Sequence, residues 1–300
     1  MLKNHETVLL YTHDFINFYP GRNNIMEYFI DTHAHLVHNY DPAHLDQVAE
    51  SGLVKQVWLL PLNLYVPEFE FAHDDEVLEV GKRYPGLFLP FGFIDYFKGP
   101  EQVDRMKEQG YVALKAIRPP KPYDDESYFP IYERAEALGM PVLFHVGIIS
   151  HRTREQLLAP VKTGPANMKP SMLDSIADAF PKLKLIQGHM GVPWVNELFE
   201  SLFYYKNVSC TVTGLIDYDW LIHNLDRRTC YGEAFSQRMM FACDGFYGRP
   251  RFWERILELA TFSRMFYKEV GKTYSWHNTL EDFMHGNAER LFPEFTALLK

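Results

Sequence analysis

Two histidines, His33 and His35, stand two residues apart in IDTHAH at the end of an apolar run, just after Asp31. Residues at that spacing on a strand point to the same side, so at its end both imidazoles can converge on one ion. By itself a His-x-His pair is equally served by two structural histidines in ordinary hydrogen bonds. The reading gains weight from three more groups in the same setting: His145 ends the run VLFHVG, His189 ends IQGHMG and Asp244 ends FACDG. Independent core histidines have no reason to share the last positions of their strands so consistently. A shell of His33, His35, His145 and Asp244 combines borderline imidazoles with a hard carboxylate, which suits one divalent metal, zinc first, with manganese, iron or cobalt as substitutes. An ion so held keeps a position open for water and lowers its pKa to about 7, making hydroxide available at neutral pH.

Cationic groups lie near these strand ends. Lys115, in YVALKAIRPP, either binds an anionic substrate as an ammonium or stands solvated at the rim. Arg118 is a better carboxylate clamp, because its planar fork can donate two parallel hydrogen bonds; the alternative is a surface ion pair. Arg249 and Arg251, in GFYGRPRFWE, can meet substrate charge or belong to a solvated helix start. His38 and His151 fall in loops after two of the loaded strands, from which either can line a pocket.

Elements that could hold these groups together are visible as continuous apolar runs, as parallel strands buried on both faces require. They are YFIDTHAH from Tyr28, VKQVWLLPL from Val54, LFLPFGFID from Leu87, YVALKAIRP from Tyr111, MPVLFHVG from Met140, KLKLIQGHMG from Lys182, NVSCTVTG from Asn207 and RMMFACDG from Arg238. Helix-like stretches separate them. SMLDSIADAF places Leu173, Ile176, Ala177 and Phe180 on one face, with Pro170 suited to a first turn. Asp41 followed by Pro42 reads as a cap and first turn before AHLDQVAE. Strand then helix, eight times, is the pattern of an α/β (β/α)8 TIM barrel, with a doubly wound open sheet as its competitor. The barrel is favoured because the chemically loaded residues fall at strand ends, where barrel enzymes keep their sites. RFWERILELATFSRMF and TLEDFMHGNAERLFPEF read as terminal helices closing it. Residues 1–27 read as an N-terminal extension rather than a domain, and 28–300 as one barrel.

Composition narrows the partners. A chain of 300 residues, 47% of them hydrophobic, can bury one large core. A formal charge of −9 speaks against nucleic acid or an anionic membrane, either of which calls for a basic face. Cys210, Cys230 and Cys243 are odd in number and lack CxxC spacing, so neither a disulfide framework nor a thiolate zinc site is expected. A reducing compartment follows, and with no signal-like segment or apolar run of about 20 residues the expected location is the cytoplasm. The aromatic content of 15% fits a deep pocket, a bulky core or a subunit interface such as a homodimer's.

From Tyr28 to Phe295 the chain resembles the amidohydrolase superfamily, in the branch that contains aminocarboxymuconate-semialdehyde decarboxylase and related aromatic-acid decarboxylases. The motifs that carry the resemblance are IDTHAH, GMPVLFHVG, LIQGHMG, MMFACDG and the closing HGNAERLF. It implies a metal held by His33, His35, His145 and Asp244, with His189 either catalytic or a histidine supporting the ligands, near the metal-bound solvent. It also opens a third role for Lys115, since binuclear members of the superfamily bridge two metals with a carboxylated lysine on this strand. Cys243 departs from the serine-like residue usual beside the aspartate and reads as tolerated packing. Together these point to a metal-dependent hydrolase in which Asp244 shuttles the proton and His189 stabilises charge. Its substrate is a small, anionic, carboxylate-bearing lactone, amide or ester. Nonoxidative decarboxylation is the alternative. The His-x-His pair leans slightly toward hydrolysis, because Glu-x-His recurs in some aromatic decarboxylases. A barrel without catalysis, serving as a scaffold, is the remaining alternative and predicts no stoichiometric metal.

Overall fold

The computed structural model describes residues 28–149, 152–158, 164–273 and 279–299. The extension at 1–27 and the loop histidine His151 lie outside them. Every one of the eight runs forms a strand: β1 (Phe29–Leu36), β2 (Val54–Leu60), β3 (Phe88–Phe93), β4 (Ala113–Ala116), β5 (Val142–His145), β6 (Leu185–Gly188), β7 (Val208–Val212) and β8 (Met239–Phe241). Between them stand α1 (Pro42–Glu50), α2 (Asp74–Arg83), α3 (Glu101–Gln109), α4 (Phe129–Ala137), α5 (Met172–Ala179), α6 (Val195–Tyr204) and α7 (Tyr218–Asn224), and α8 (Pro250–Thr273) follows the last. The strands are parallel and neighbour one another in chain order. This is the (β/α)8 barrel.

Closure takes a form that the spacing of apolar runs did not announce. A ninth short strand, β9 (Phe246–Tyr247), pairs with β1 through His35 and Leu36, whereas β8 pairs with β7. The eighth place in the ring is thus one strand broken in two. Across the break the Asp244 N–H donates to His33 O and the His35 N–H to Gly245 O, both at 2.8 Å, and Thr32 Oγ1 donates to Phe241 O at 2.8 Å.

Local rules account for the helices. Asp41 caps α1, accepting from the Ala43 N–H at 3.0 Å, with proline in the first turn as expected. In α2, Asp74, Asp75 and Glu76 open the helix while Lys82 and Arg83 close it, matching the helix dipole at both ends. Leu173, Ile176 and Ala177 of α5 are buried on one face. No helix among the described residues is long and apolar enough to cross a membrane.

Alternation along the strands divides the core into two layers. Val57, Leu114, Val142 and Phe144 face the helices, whereas Ile30, Trp58, Phe91, Leu143, Ile186 and Met240 fill the barrel itself. The C-terminal segment is helical as expected: Thr279–Glu281, a π turn at Asp282–Gly286 and Asn287–Leu291 run on without a break, and a short turn at Pro293–Thr296 follows Phe292. It plugs one end: Phe292 and Phe295 meet Trp58 edge-on at 4.9 and 5.2 Å between ring centroids. Gln56 ties the plug to β2, donating to Phe295 O at 3.0 Å and accepting from Trp58 Nε1 at 3.1 Å. Burying each phenylalanine contributes about 2–3 kcal/mol, so the floor is rigid and the opposite mouth carries the chemistry.

Candidate metal centre

His33 and His35 both enter the barrel, but not by simple alternation from the strand's start. Asp31 pairs with Val57 and Ala34 with Leu59, so three steps along β1 face two along β2. This bulge resets the alternation: Ile30 packs into the floor, yet His33 and His35 also line the cavity above it. Nδ1 of His35 donates to Leu60 O at 2.9 Å, which commits its proton and turns Nε2 toward Asp244 Oδ1, 3.3 Å away. His33 Nδ1 sits 3.3 Å from Thr211 Oγ1, and its Nε2 lies 3.5 Å from Asp244 Oδ1 and 3.3 Å from Lys115 Nζ. One ligand atom each from His33, His189 and Asp244 lies within 4.8 Å of the others.

Three of the expected residues hold left-handed backbone, φ being 74° at His189, 49° at Asp244 and 49° at Arg118. Such conformations cost about 1–3 kcal/mol each and persist where surrounding structure fixes them. At Asp244 the fixing group is Asp31, which sequence reasoning left without a role although it opens the motif. Its Oδ1 accepts from the Cys243 N–H at 3.1 Å and the His33 N–H at 3.4 Å, and its Oδ2 from Cys243 Sγ at 2.6 Å and Tyr247 OH at 3.0 Å. Cys243 is therefore more than packing: its thiol donates where a serine hydroxyl would. Burial and the adjacent Asp31 push that thiol well above its ordinary range, leaving it protonated.

His145 and His189 meet each other, Nδ1 to Nε2 at 3.0 Å, and His145 Nε2 turns to Ile148 O at 3.1 Å. His189 thus lies inside the group around Asp244, with His145 one hydrogen bond further out. Two glycines make room. A Cβ at Gly188 would stand 3.0 Å from His33 Cε1, and one at Gly214 would stand 2.7 Å from His189 Nδ1.

The electrostatics suit a cation. Burial, with Lys115 and the other imidazoles adding repulsion, holds His33 well below its usual range, and burial lowers His145 and His189 too. Neutral imidazoles present lone pairs. Burial alone would raise Asp244, but the neighbouring His189, His35 and Lys115 outweigh it and hold the carboxyl below the usual carboxylate range. Nε2 of His35, its proton spent on Leu60, faces that carboxylate, and an ion between two acceptors satisfies both. The donor set accordingly fits a divalent metal.

Lys115 is fully buried beside His33 rather than solvated at a rim, and burial pushes its ammonium down to about 7 against the pull of Asp244. Arg118 does not join the group. It lines a neighbouring cavity of about 410 Å³, and its Nε donates to Tyr65 OH at 3.3 Å. The side chain that does reach the cavity is Arg152, seven residues beyond His145, which no motif marks. Arg249 and Arg251 pair with Glu70 at 3.7 and 3.2 Å, fastening the loop that carries Phe71. His38 is held by Glu76 at 3.0 Å. Tyr65, Phe71 and Phe246 form an aromatic wall, with centroids 4.8 Å apart for the first pair and 5.4 Å for the second.

The model of one protein family, described as Amidohydrolase, matches residues 30–293, nearly the whole described chain. The chain belongs to the amidohydrolase family. No curated protein matches this chain, but solved structures do. An uncharacterised TIM-barrel protein from Bordetella bronchiseptica is similar with a TM-score of 0.61 at 18% identity, over 89% of this chain and 99% of that one. A 2,6-dihydroxybenzoate decarboxylase from Rhizobium gives 0.59 at 16%, over 89% and 99%. A probable 2-pyrone-4,6-dicarboxylic acid hydrolase from Acinetobacter baumannii, with citric acid bound, gives 0.53 at 16%, over 88% and 99%. At such identities the likeness establishes the fold of this family member.

Proposed function

We propose that the protein is a metal-dependent hydrolase of a small, carboxylate-bearing lactone, amide or ester. The observation that carries this is the convergence of His33, His189 and Asp244 within 4.8 Å, with His35 Nε2 3.3 Å from the same carboxylate, at the bottom of a cavity of about 500 Å³. His33, His35 and Asp244 hold the ion, and the hydrogen-bonded pair His145 and His189 supplies the remaining ligand and the proton-transfer partner. A divalent metal bound there, zinc before manganese, iron or cobalt, provides a Lewis acid that polarises a carbonyl and makes water acidic near neutral pH.

The chain's own groups do the rest. Asp244 is ionised and has a free lone pair toward the cavity, so it takes a proton from water and returns it to the leaving group. His189, held in place by His145 through their shared hydrogen bond, stabilises developing negative charge as it takes up a proton. Lys115, deep in the site, meets a carboxylate as an ammonium. The aromatic wall of Tyr65, Phe71 and Phe246 orients a flat substrate and excludes water, which strengthens every polar contact inside.

Nonoxidative decarboxylation is the second reading, and the aromatic wall beside the buried Lys115 supports it, because a benzoate-like acid would lie flat there with its carboxylate toward the ion. The fold is shared with the dihydroxybenzoate decarboxylase and with the pyrone hydrolase alike. Elemental analysis together with a product panel on lactones, amides and hydroxybenzoates decides: about one divalent metal per chain with acid release supports hydrolysis. Carbon dioxide as sole product moves the assignment to decarboxylation. A stable fold without stoichiometric metal points to a scaffold.

A further inference from the structure

The cavity over the proposed metal centre contains two cationic side chains, Lys115 at its depth and Arg152, against one carboxylate, Asp244. In a protein of net charge −9 this local excess of positive charge is a built feature. A resident divalent ion would enlarge it. Lys115 lies against His33 and belongs to the reacting end. Arg152 does not touch that group.

Its surroundings show what it lacks. Nε of Arg152 is buried without a hydrogen-bond partner, and among the described residues no carboxylate stands within ion-pair distance of its guanidinium. A half-buried, unpaired cation is costly and calls for an anion. The guanidinium lies 5.9 Å from the centroid of Tyr65. That ring is itself fixed, since Arg118 Nε donates to the Tyr65 hydroxyl at 3.3 Å and Phe71 packs 4.8 Å away. Arg118 therefore acts behind the wall, and Arg152 is offered on its inner surface. Ile148, Leu215 and Phe246 are among the apolar side chains that line the rest of the cavity.

We propose that Arg152 is the specificity-determining residue of the site, capturing a second carboxylate, remote from the reacting bond, on a planar unsaturated or aromatic substrate. The planar fork of arginine matches a carboxylate with two parallel hydrogen bonds, and the aromatic wall requires the connecting skeleton to be flat. The substrate class is thus a small planar dicarboxylate, one acid group at the ion and Lys115, the other at Arg152. This rests on the proposed metal-dependent reading and narrows its substrate.

The test uses the metal-loaded full chain and two probes, benzene-1,3-dicarboxylate and 3-carbamoylbenzoate. They are alike at the reacting end and differ only in the second acid group. By titration calorimetry the wild type binds the dicarboxylate at least tenfold more tightly. Arg152→Gln weakens dicarboxylate binding about 10–100-fold, the range of a charge-assisted hydrogen bond, and leaves the carbamoyl probe within about twofold, so the preference disappears. Arg152→Lys keeps the charge without the fork and retains part of it. An Arg152→Gln protein that still prefers the dicarboxylate as the wild type does overturns the assignment, and so does a wild type that fails to discriminate or binds neither probe at millimolar concentration. Metal content and product release, measured on the same preparations, report separately on the hydrolase reading: a chain without stoichiometric metal sinks that reading, while the probe ratio still judges Arg152.

Discussion

Replacing Gly214 with alanine should disable the site from outside it. The new Cβ would stand 2.7 Å from His189 Nδ1, whereas ordinary contact begins near 3.4 Å, so the imidazole must move by about 0.7 Å. Its direction of retreat is toward His145, 3.0 Å away, and His33, whose ring centroid is at 4.8 Å. A displacement of about 1 Å in reacting groups costs roughly 100-fold in rate, so a 10–100-fold loss of turnover is expected, with a weaker hold on metal. Alanine at the left-handed φ of 72° also costs about 1–2 kcal/mol of stability. Gly139 separates the two effects, because it has φ 60° and an added Cβ there would meet nothing within 4 Å, so Gly139→Ala carries the backbone cost alone. Chelator competition for zinc, turnover on the active panel substrate and urea unfolding are measured on both variants. Equal metal affinity and turnover in Gly214→Ala and Gly139→Ala would refute the claim that Gly214 sets the position of His189.

Removing the metal with a chelator should abolish activity and lower stability. At a free metal concentration a thousandfold above Kd the ion contributes about 4 kcal/mol, so an unchanged melting temperature with metal stripped would contradict the site. Asp31→Ala, which leaves the buried Tyr247 hydroxyl and the Cys243 N–H without their acceptor, should weaken metal binding about tenfold, and Asp31→Asn should recover much of it. Equal affinity in the alanine variant and the wild type would show that Asp31 does not position Asp244. Burial pushes the Asp74 carboxyl up to about 6 from the 3.8 of an exposed group. The folded chain therefore holds the extra proton between those values. Stability from this group is complete below about pH 4 and is lost as pH rises through about 6, by about 2–3 kcal/mol. Urea unfolding from pH 4 to 7.5 should show that slope in the wild type and a flatter one in Asp74→Asn; parallel slopes would rule Asp74 out as its source.

The barrel and the side chains that stand at its mouth were legible because both follow from local pattern. Continuous apolar runs gave all eight strands, and His33, His189 and Asp244 gather, with His145 bonded to His189, because each stands toward the end of such a run or just past it. What the pattern could not convey depends on backbone excursions of one residue. The bulge between Asp31 and Ala34 decides which way His33 points, and no residue type in THAH marks it. The left-handed turn at Arg118, just before Pro119, leaves its guanidinium in the neighbouring cavity, so a residue suited by type to the role is absent by direction. Arg152 escaped notice for the opposite reason: it sits in a loop whose path no periodicity encodes. Asp31 was readable, standing two residues before His33, but its partners at Cys243 and Tyr247 are more than 200 positions away and meet it only when the ring closes.

The broken eighth strand makes that closure depend on the reactive end of the molecule. A barrel seam is ordinarily stitched by an uninterrupted ladder, indifferent to what happens above it. Here the stitches beside the break are the Asp244 N–H to His33 O and the His35 N–H to Gly245 O, followed by the Val37 N–H to Tyr247 O, so residues proposed to grip the ion also help to fasten the cylinder's edge. An ion drawn between their side chains would act as a rivet through the joint, and amide exchange at Phe246 and Tyr247 should slow when it is seated. Architecture and reactivity in this chain would then fail together, at one place.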